Sequence, residues 1–109
     1  MSKVIKLQRY ELEKIGLEFP NGEIGEFSIR FRTLDEQDKE IEEQRKLANL
    51  RSMGRIKESD YQIAYAKTYC EFDESVEKLI RGLQVPEIDY LFGKILEHIN
   101  QLKEDRKKN

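Results

Sequence analysis

Few residues in this chain are of the types that carry out acid–base, nucleophilic or metal chemistry. His98 is the only histidine and Cys70 the only cysteine. A metal site with several histidine ligands is therefore excluded. The only possible thiol catalyst is a single Cys–His pair formed by these two residues. Both residues fall in segments with helical apolar periodicity, which favours a boundary histidine and a structural cysteine. We therefore expect no catalytic residue, no cofactor and no metal, and the protein is not predicted to be an enzyme.

Acidic residues are numerous between positions 35 and 43, and carboxylates in such number raise the question of a cation site. They share a predicted helix with Lys39, Arg45 and Lys46, and such a mixture of charges is typical of a solvated helix face. Gly22 and Gly25 are not followed by the Lys-Ser/Thr pair of a phosphate-binding loop. Neither pattern predicts a ligand site.

Three regularly spaced tyrosines are the group of residues that says most about function. Tyr61, Tyr65 and Tyr69 follow one another at intervals of four, which places them on one face of a predicted helix. Two interpretations stay open: a core stripe with hydroxyl groups at its edge, or a partly exposed face that packs on a partner, since aromatic residues are enriched at interfaces. The three tyrosines are the candidate partner-binding residues.

The composition bounds the class of protein. Hydrophobic residues make up 38% and charged residues 39% of 109 residues, which suits a single domain with long solvated helices or one that completes its burial against a partner. The net charge of −2 comes from 22 acids and 20 bases of interleaved sign, which argues against nucleic-acid binding. A lone cysteine and the lack of an apolar run of about 20 residues predict a cytoplasmic protein that does not cross a membrane.

Residues 1–33 have the features of a β portion. Apolar residues nearly alternate from Val4 to Leu12 and alternate fully from Phe27 to Phe31, and Pro20-Asn21-Gly22 is a strong turn signal between them. The pattern predicts a small antiparallel hairpin or sheet of two or three strands.

The remainder of the chain is predicted to be helical. Helices are expected over most of 34–53, 59–82 and 86–104, the first capped by Thr33 and the last opened by Pro86. Phe92 and Leu96 are expected in the middle of the last helix's apolar face. The fold class is thus α+β: one domain over 1–109, with a β portion (1–33), about three helices (34–104) and a frayed tail (105–109).

The order of these elements resembles the tail assembly chaperones of long-tailed bacteriophages, which have an N-terminal β portion and a helical remainder. The similarity covers nearly the whole chain and is carried by residue types in the hairpin, in a charged helix after it, and in two later helices. The segments are Phe19-Pro20-Asn21-Gly22, Phe27-Ser28-Ile29-Arg30-Phe31, the aromatic stretch Tyr61 to Leu83, and Val85-Pro86-Glu87-Ile88-Asp89-Tyr90-Leu91-Phe92.

The resemblance implies a function. Members of that family cover the helical tape measure protein in the host cytoplasm and recruit the tail tube protein, without catalysis. A long client occupies many chaperone copies, so homo-oligomers also fit. Many members have a longer form made by ribosomal frameshifting, and Arg106-Lys107-Lys108-Asn109 is compatible with a slippery A-rich codon run or with a plain solvated tail.

Two other functions stay open at this stage. The chain is also compatible with an unrelated small adaptor or regulatory protein that acts as a helical homodimer. A small hydrolase or transferase is the least favoured alternative, because the chain contains few residues that could act as a catalytic base or nucleophile.

Overall fold

The computed structural model describes residues 3–7 and 9–107, with side chains up to residue 105. Two strands at the N-terminal end are followed by four helices, so the α+β class is confirmed. The expected number of about three helices is too low by one. The elements are β1 (Glu13–Glu18), β2 (Ile24–Ile29), α1 (Leu34–Ser52), α2 (Glu58–Ala66), α3 (Glu74–Arg81) and α4 (Val85–Lys107).

The two strands form the antiparallel hairpin that the turn residues predict. The register pairs Glu13 with Ile29 and Glu18 with Ile24. Gly22 has a φ of 89°, a left-handed conformation that glycine adopts without a steric penalty. Its N–H donates to the Phe19 carbonyl at 2.8 Å, which closes the turn.

One face of the hairpin carries the apolar residues into the core. Phe27 and Ile29 are fully buried, and Ile15 and Leu17 of β1 pack beside them. Gly25 lies on the same face, where a Cβ atom would come within 2.6 Å of the Phe19 ring. The backbone and the ring approach each other closely only because Gly25 has no side chain.

The described residues of the apolar run from Val4 to Leu12 do not form a strand, so the sheet there has two strands, the lower number of the two or three expected. Val4, Ile5 and Leu7 are exposed, and the sheet contains β1 and β2 alone among the described residues. An apolar alternation becomes a strand only when a neighbouring strand accepts its hydrogen bonds and a core covers one face. Among the described residues, one copy of the chain supplies no pairing strand for this run, although the Tyr10 ring packs on Phe31 with centroids 4.7 Å apart.

The start of α1 is specified by a complete capping box, as expected for Thr33. The Glu36 N–H donates to Thr33 Oγ1, and the Thr33 N–H donates to Glu36 Oε1, both at 3.2 Å. That backbone hydrogen bond to the carboxylate is the main reason why the pKa of Glu36 is below its usual value. The helix ends just before Gly54, whose φ is 66°.

The expected single helix over 59–82 is wrong, because the structure breaks it into α2 and α3. Glu71 exchanges backbone hydrogen bonds with Ser28 of β2, at 2.8 and 2.9 Å, which a continuous helix would forbid. Asp73 then caps α3 by accepting a hydrogen bond from the Val76 N–H at 3.0 Å. Pairing with the sheet and a new cap replace the helical hydrogen bonds that the intervening residues give up.

The last helix is longer than expected at both ends. It begins at Val85, one residue before Pro86, where the Gln84 N–H donates to Glu87 Oε1 at 2.7 Å. It extends to Lys107, so residues 105–107 of the expected frayed tail are helical. Residues 108 and 109 lie outside the described part of the chain.

The core lies between the hairpin face and the three later helices. Its members come from β2, α2, α3 and α4, with Phe19 from the turn and Cys70 from the α2–α3 connection. The cluster is Phe19, Phe27, Ile29, Ile63, Ala66, Cys70, Val76, Ile80, Leu91, Phe92 and Ile95. Phe92 is buried as expected, but Leu96 is 44% exposed, which corrects its placement in the middle of the buried face.

Replacing Phe92 by alanine should destabilise the protein by about 3–5 kcal/mol, because the change leaves a cavity in the core. Leu96→Ala removes a side chain that is half in solvent, so its cost should stay below about 1 kcal/mol. Urea unfolding of both variants measures the difference. Equal losses of unfolding free energy in the two variants would show that α4 is rotated about its axis, so that Leu96 is as buried as Phe92.

The two glycines Gly25 and Gly93 should respond to alanine with opposite signs. Gly25→Ala pushes a methyl group into the Phe19 ring and should cost on the order of 1–3 kcal/mol. Gly93 lies in α4 with open space around its Cα, so Gly93→Ala should stabilise by about 0.5–1 kcal/mol through helix propensity. Thermal melts of the two variants provide the comparison, and a stabilising Gly25→Ala would contradict the close packing described above.

Candidate interaction groove

Cys70 is a packed core residue in the structure. Its thiol is buried and donates a hydrogen bond to the Ala66 carbonyl oxygen at 3.3 Å. Burial, with a smaller contribution from Glu71, raises the pKa of Cys70 to about 12 despite the nearby Arg32. A thiol in this state is a poor nucleophile, because the thiolate is the reactive form.

His98 is half-buried on α4, and its Nε2 atom is buried without a hydrogen-bond partner among the described residues. Within the range where side chains are described, no three His, Cys, Asp or Glu side chains are grouped to hold a metal ion.

None of the helices in residues 3–7 and 9–107 combines the length and the apolar composition that a membrane span requires.

The three candidate tyrosines are in contact, although they do not lie on one helix. Tyr61 and Tyr65 belong to α2, with ring centroids 5.8 Å apart, whereas Tyr69 follows the end of that helix and its ring lies 6.2 Å from Tyr65. The break after Ala66 therefore corrects the expected helical stripe without separating the rings. Burial, with Cys70 and Tyr65 nearby, raises the pKa of Tyr69 far above its usual value.

The structure divides these tyrosines between two environments. Tyr61 lies under the Arg51 guanidinium, which is 4.6 Å from its ring centroid, and so helps to join α1 to α2. Tyr65 and Tyr69, but not Tyr61, line a groove. Only these two tyrosines, and chiefly the more exposed Tyr65, are placed to meet a partner in that groove.

The groove has a volume of about 490 Å³ and runs between α1 and α4 over the end of β2. We call it the α1–α4 groove. Each wall contributes apolar and polar groups: α1 provides Gln37, Glu40, Ile41 and Gln44, α4 provides Leu96, Ile99, Asn100 and Lys103, and residues 29–32 with the two tyrosines form the rest.

Exposed apolar side chains distinguish this groove from an ordinary charged surface. Ile41, Tyr65 and Leu96 line it from three different elements and are all exposed. Half-buried Phe31 and Ile99 lie between them. Apolar groups that converge from several elements and face solvent are the usual feature of a surface that binds a partner.

A polar network around Arg32 holds α1, one wall of the groove, in place. The Arg32 guanidinium donates to the Thr68 carbonyl at 3.2 Å and pairs with Glu40 at 3.7 Å. Gln44 of α1 donates to the Thr68 hydroxyl at 2.9 Å. These contacts tie the β2–α1 connection, the middle of α1 and the connection after α2 to one another, so the α1 wall is positioned without a partner.

The sequence alone did not identify most of this groove. Ile41 appears in the sequence as an isolated apolar residue of a very polar helix, and Leu96 as one more member of a core stripe. Arg32 looks like the polar residue of an alternating strand. The one sequence feature that pointed to the groove was Ile41, an apolar residue among charged ones. A helix face that is fully solvated gains no stability from an apolar side chain.

No protein-family model matches this chain, and no curated protein or solved structure shows significant similarity to it.

Modification of Cys70 should be slow in the folded protein. The raised pKa leaves very little thiolate at pH 8, so reaction with a disulfide reagent should be at least roughly 100-fold slower than in the unfolded chain. Colorimetric thiol titration with and without denaturant measures both rates. A fast reaction without denaturant would indicate an accessible, activated thiol and would reopen nucleophilic chemistry.

Proposed function

We propose that this protein is a non-catalytic binding protein that holds a helix of a long client in the α1–α4 groove. The client proposed from the family resemblance is the tape measure protein of a long-tailed phage, which the chaperone covers in the host cytoplasm until tail tube protein assembles around it. The observation that carries the proposal is the convergence of Ile41, Tyr65 and Leu96 in one groove.

A helix fits this site for reasons of shape and chemistry. The groove is bounded by two helices and is open to solvent, and amphipathic helices bind in grooves of this kind through apolar anchors three or four residues apart. Tyr65 suits such a site because its ring buries apolar area while its hydroxyl group stays hydrated. The long apolar helices of a tape measure protein would supply several anchors for each copy bound.

The charges around the groove favour one orientation of the bound helix. The first half of α1 carries six acids against Lys39 alone between positions 34 and 43. On the other side, Lys103 of α4 lines the groove, whereas Arg30 is already paired with Glu36 of α1 at 2.7 Å. A client helix with basic residues along one flank and acidic residues along the other would match both walls.

Gene neighbourhood is the first test of the phage assignment. Flanking genes for a tail tube protein and for a very long helical protein are expected if the proposal is right. A neighbourhood of unrelated regulatory genes would favour the adaptor alternative and remove the tape measure protein as the client.

The binding site itself is tested with a pair of changes on α1. Ile41→Gln removes an apolar contact from the groove and should weaken binding of a purified tape measure fragment about tenfold, since one buried aliphatic side chain contributes roughly 1.5–3 kcal/mol. Leu34→Gln is the matched control, because Leu34 is also exposed on α1 but does not line the groove. Isothermal titration calorimetry measures both affinities.

The tyrosines provide a second comparison within the same assay. Tyr65→Ala should weaken binding, whereas Tyr61→Ala should leave it nearly unchanged and lower the melting temperature slightly through loss of the Arg51 contact. Equal affinities for Ile41→Gln and Leu34→Gln, together with unaffected binding by Tyr65→Ala, would exclude the α1–α4 groove as the client site.

A further inference from the structure

The outer edge of β1 pairs with no strand in the described part of the chain, and the aliphatic residues Val4, Ile5 and Leu7 before it are exposed. Val4, Ile5 and Leu7 are 88%, 76% and 89% exposed. The only strand paired with β1 in the described residues is β2. An open strand edge continued by exposed aliphatic residues is a template for pairing with another chain.

We propose that this edge is a dimer interface, in which residues 5–17 of two copies pair as antiparallel strands about a two-fold axis at Glu11. The pairing joins the two hairpins into one continuous sheet and extends β1 toward the N-terminal end. It is separate from the α1–α4 groove and does not depend on the client proposed for that groove.

The distribution of charge along the segment favours an antiparallel second copy. Residues 3–9 contain three bases and no acid, whereas residues 10–18 contain three acids and one base. That one base, Lys14, is already paired with Glu26 of β2 at 3.4 Å. Two antiparallel copies therefore place the basic half of each segment beside the acidic half of the other, which is the arrangement that cross-strand ion pairs require.

The apolar residues specify the register. With Glu11 on the axis, Ile5 of one copy lies opposite Leu17 of the other, and Leu7 lies opposite Ile15. Ile15 and Leu17 are partly buried against the core, so the added pair extends an apolar face that already exists. Arg9 falls opposite Glu13 in the same register, which gives one ion pair on each side of the axis.

Neighbouring registers are less favourable. The proposed register has one like-charge contact, between the two copies of Glu11 on the axis. A shift of two residues in one direction places Lys6 opposite Lys14 on both sides of the axis, and a shift in the other direction places Glu11 opposite Glu13 on both sides, so each of these registers has two such contacts. Like charges in directly opposed positions destabilise a strand pair. A shift of one residue moves Ile5 and Leu7 to the face opposite to Ile15 and Leu17.

A shallow groove beside β1 has room for the incoming side chains. It is lined by Leu17, Leu83, Leu91 and the exposed Tyr90, and has a volume of about 180 Å³. Because Ile5 of the second copy is opposite Leu17, its side chain would lie at this groove. The apolar lining beside the strand edge is a second reason to expect an aliphatic occupant there.

The test measures the dimerisation constant by sedimentation equilibrium on the full chain. Wild type is expected to be a dimer, and Leu7→Glu should be a folded monomer with the circular dichroism spectrum of wild type, since Leu7 is solvent-exposed in one copy. The control Ile41→Gln should remain a dimer, which separates this interface from the groove. A monomeric wild type, or a dimer unaffected by Leu7→Glu, would overturn the proposal.

Charge reversal tests the register. Arg9→Glu and Glu13→Arg each place like charges opposite one another on both sides of the axis and should weaken the dimer about tenfold. The double variant restores opposite charges and should return to within about threefold of wild type. Single variants that leave the constant unchanged, or a double variant as weak as the singles, would contradict this pairing.

Discussion

A hairpin of two strands has no second sheet against which to bury its apolar face, so its stability depends on the helices that cover that face. Phe27 and Ile29 are fully buried here, and the core cluster that surrounds them takes residues from α2, α3 and α4. The break in the predicted long helix follows from the same requirement. The chain between α2 and α3 pairs Glu71 with Ser28 of β2, which holds both helices close to the hairpin.

The first helix is held by a different kind of interaction. Leu47 is the only fully buried residue of α1, so apolar packing by itself positions this helix weakly. Arg32 supplies polar contacts to Glu40 and to the Thr68 carbonyl, and its side chain is only 17% exposed. Loss of one partner in such a part-buried network leaves another unpaired, which is costly. The network therefore fixes the position of α1, which forms one wall of the α1–α4 groove.

The two proposed surfaces serve different purposes and lie on different elements. Strand pairing at β1 would place the helical layers of two copies on the same side of a joined sheet, because directly opposed residues of an antiparallel pair point to one face. A dimer of this kind presents two grooves to one client. Two modest sites that engage one long helical chain would bind it with a raised effective concentration and therefore a higher overall affinity, as the proposed function requires.

The sequence by itself determined the features that depend on local chemistry. The turn at Gly22, the cap at Thr33 and the helical character of the later chain follow from positive φ, side-chain hydrogen bonds and apolar periodicity, which need few distant residues. Tertiary structure decided the rest. Whether Val4 to Leu12 is a strand depends on a neighbouring edge, and whether Leu96 is buried or lines a groove depends on where α1 lies. Periodicity states which residues share a face, but only the packing of distant elements determines which part of that face is covered.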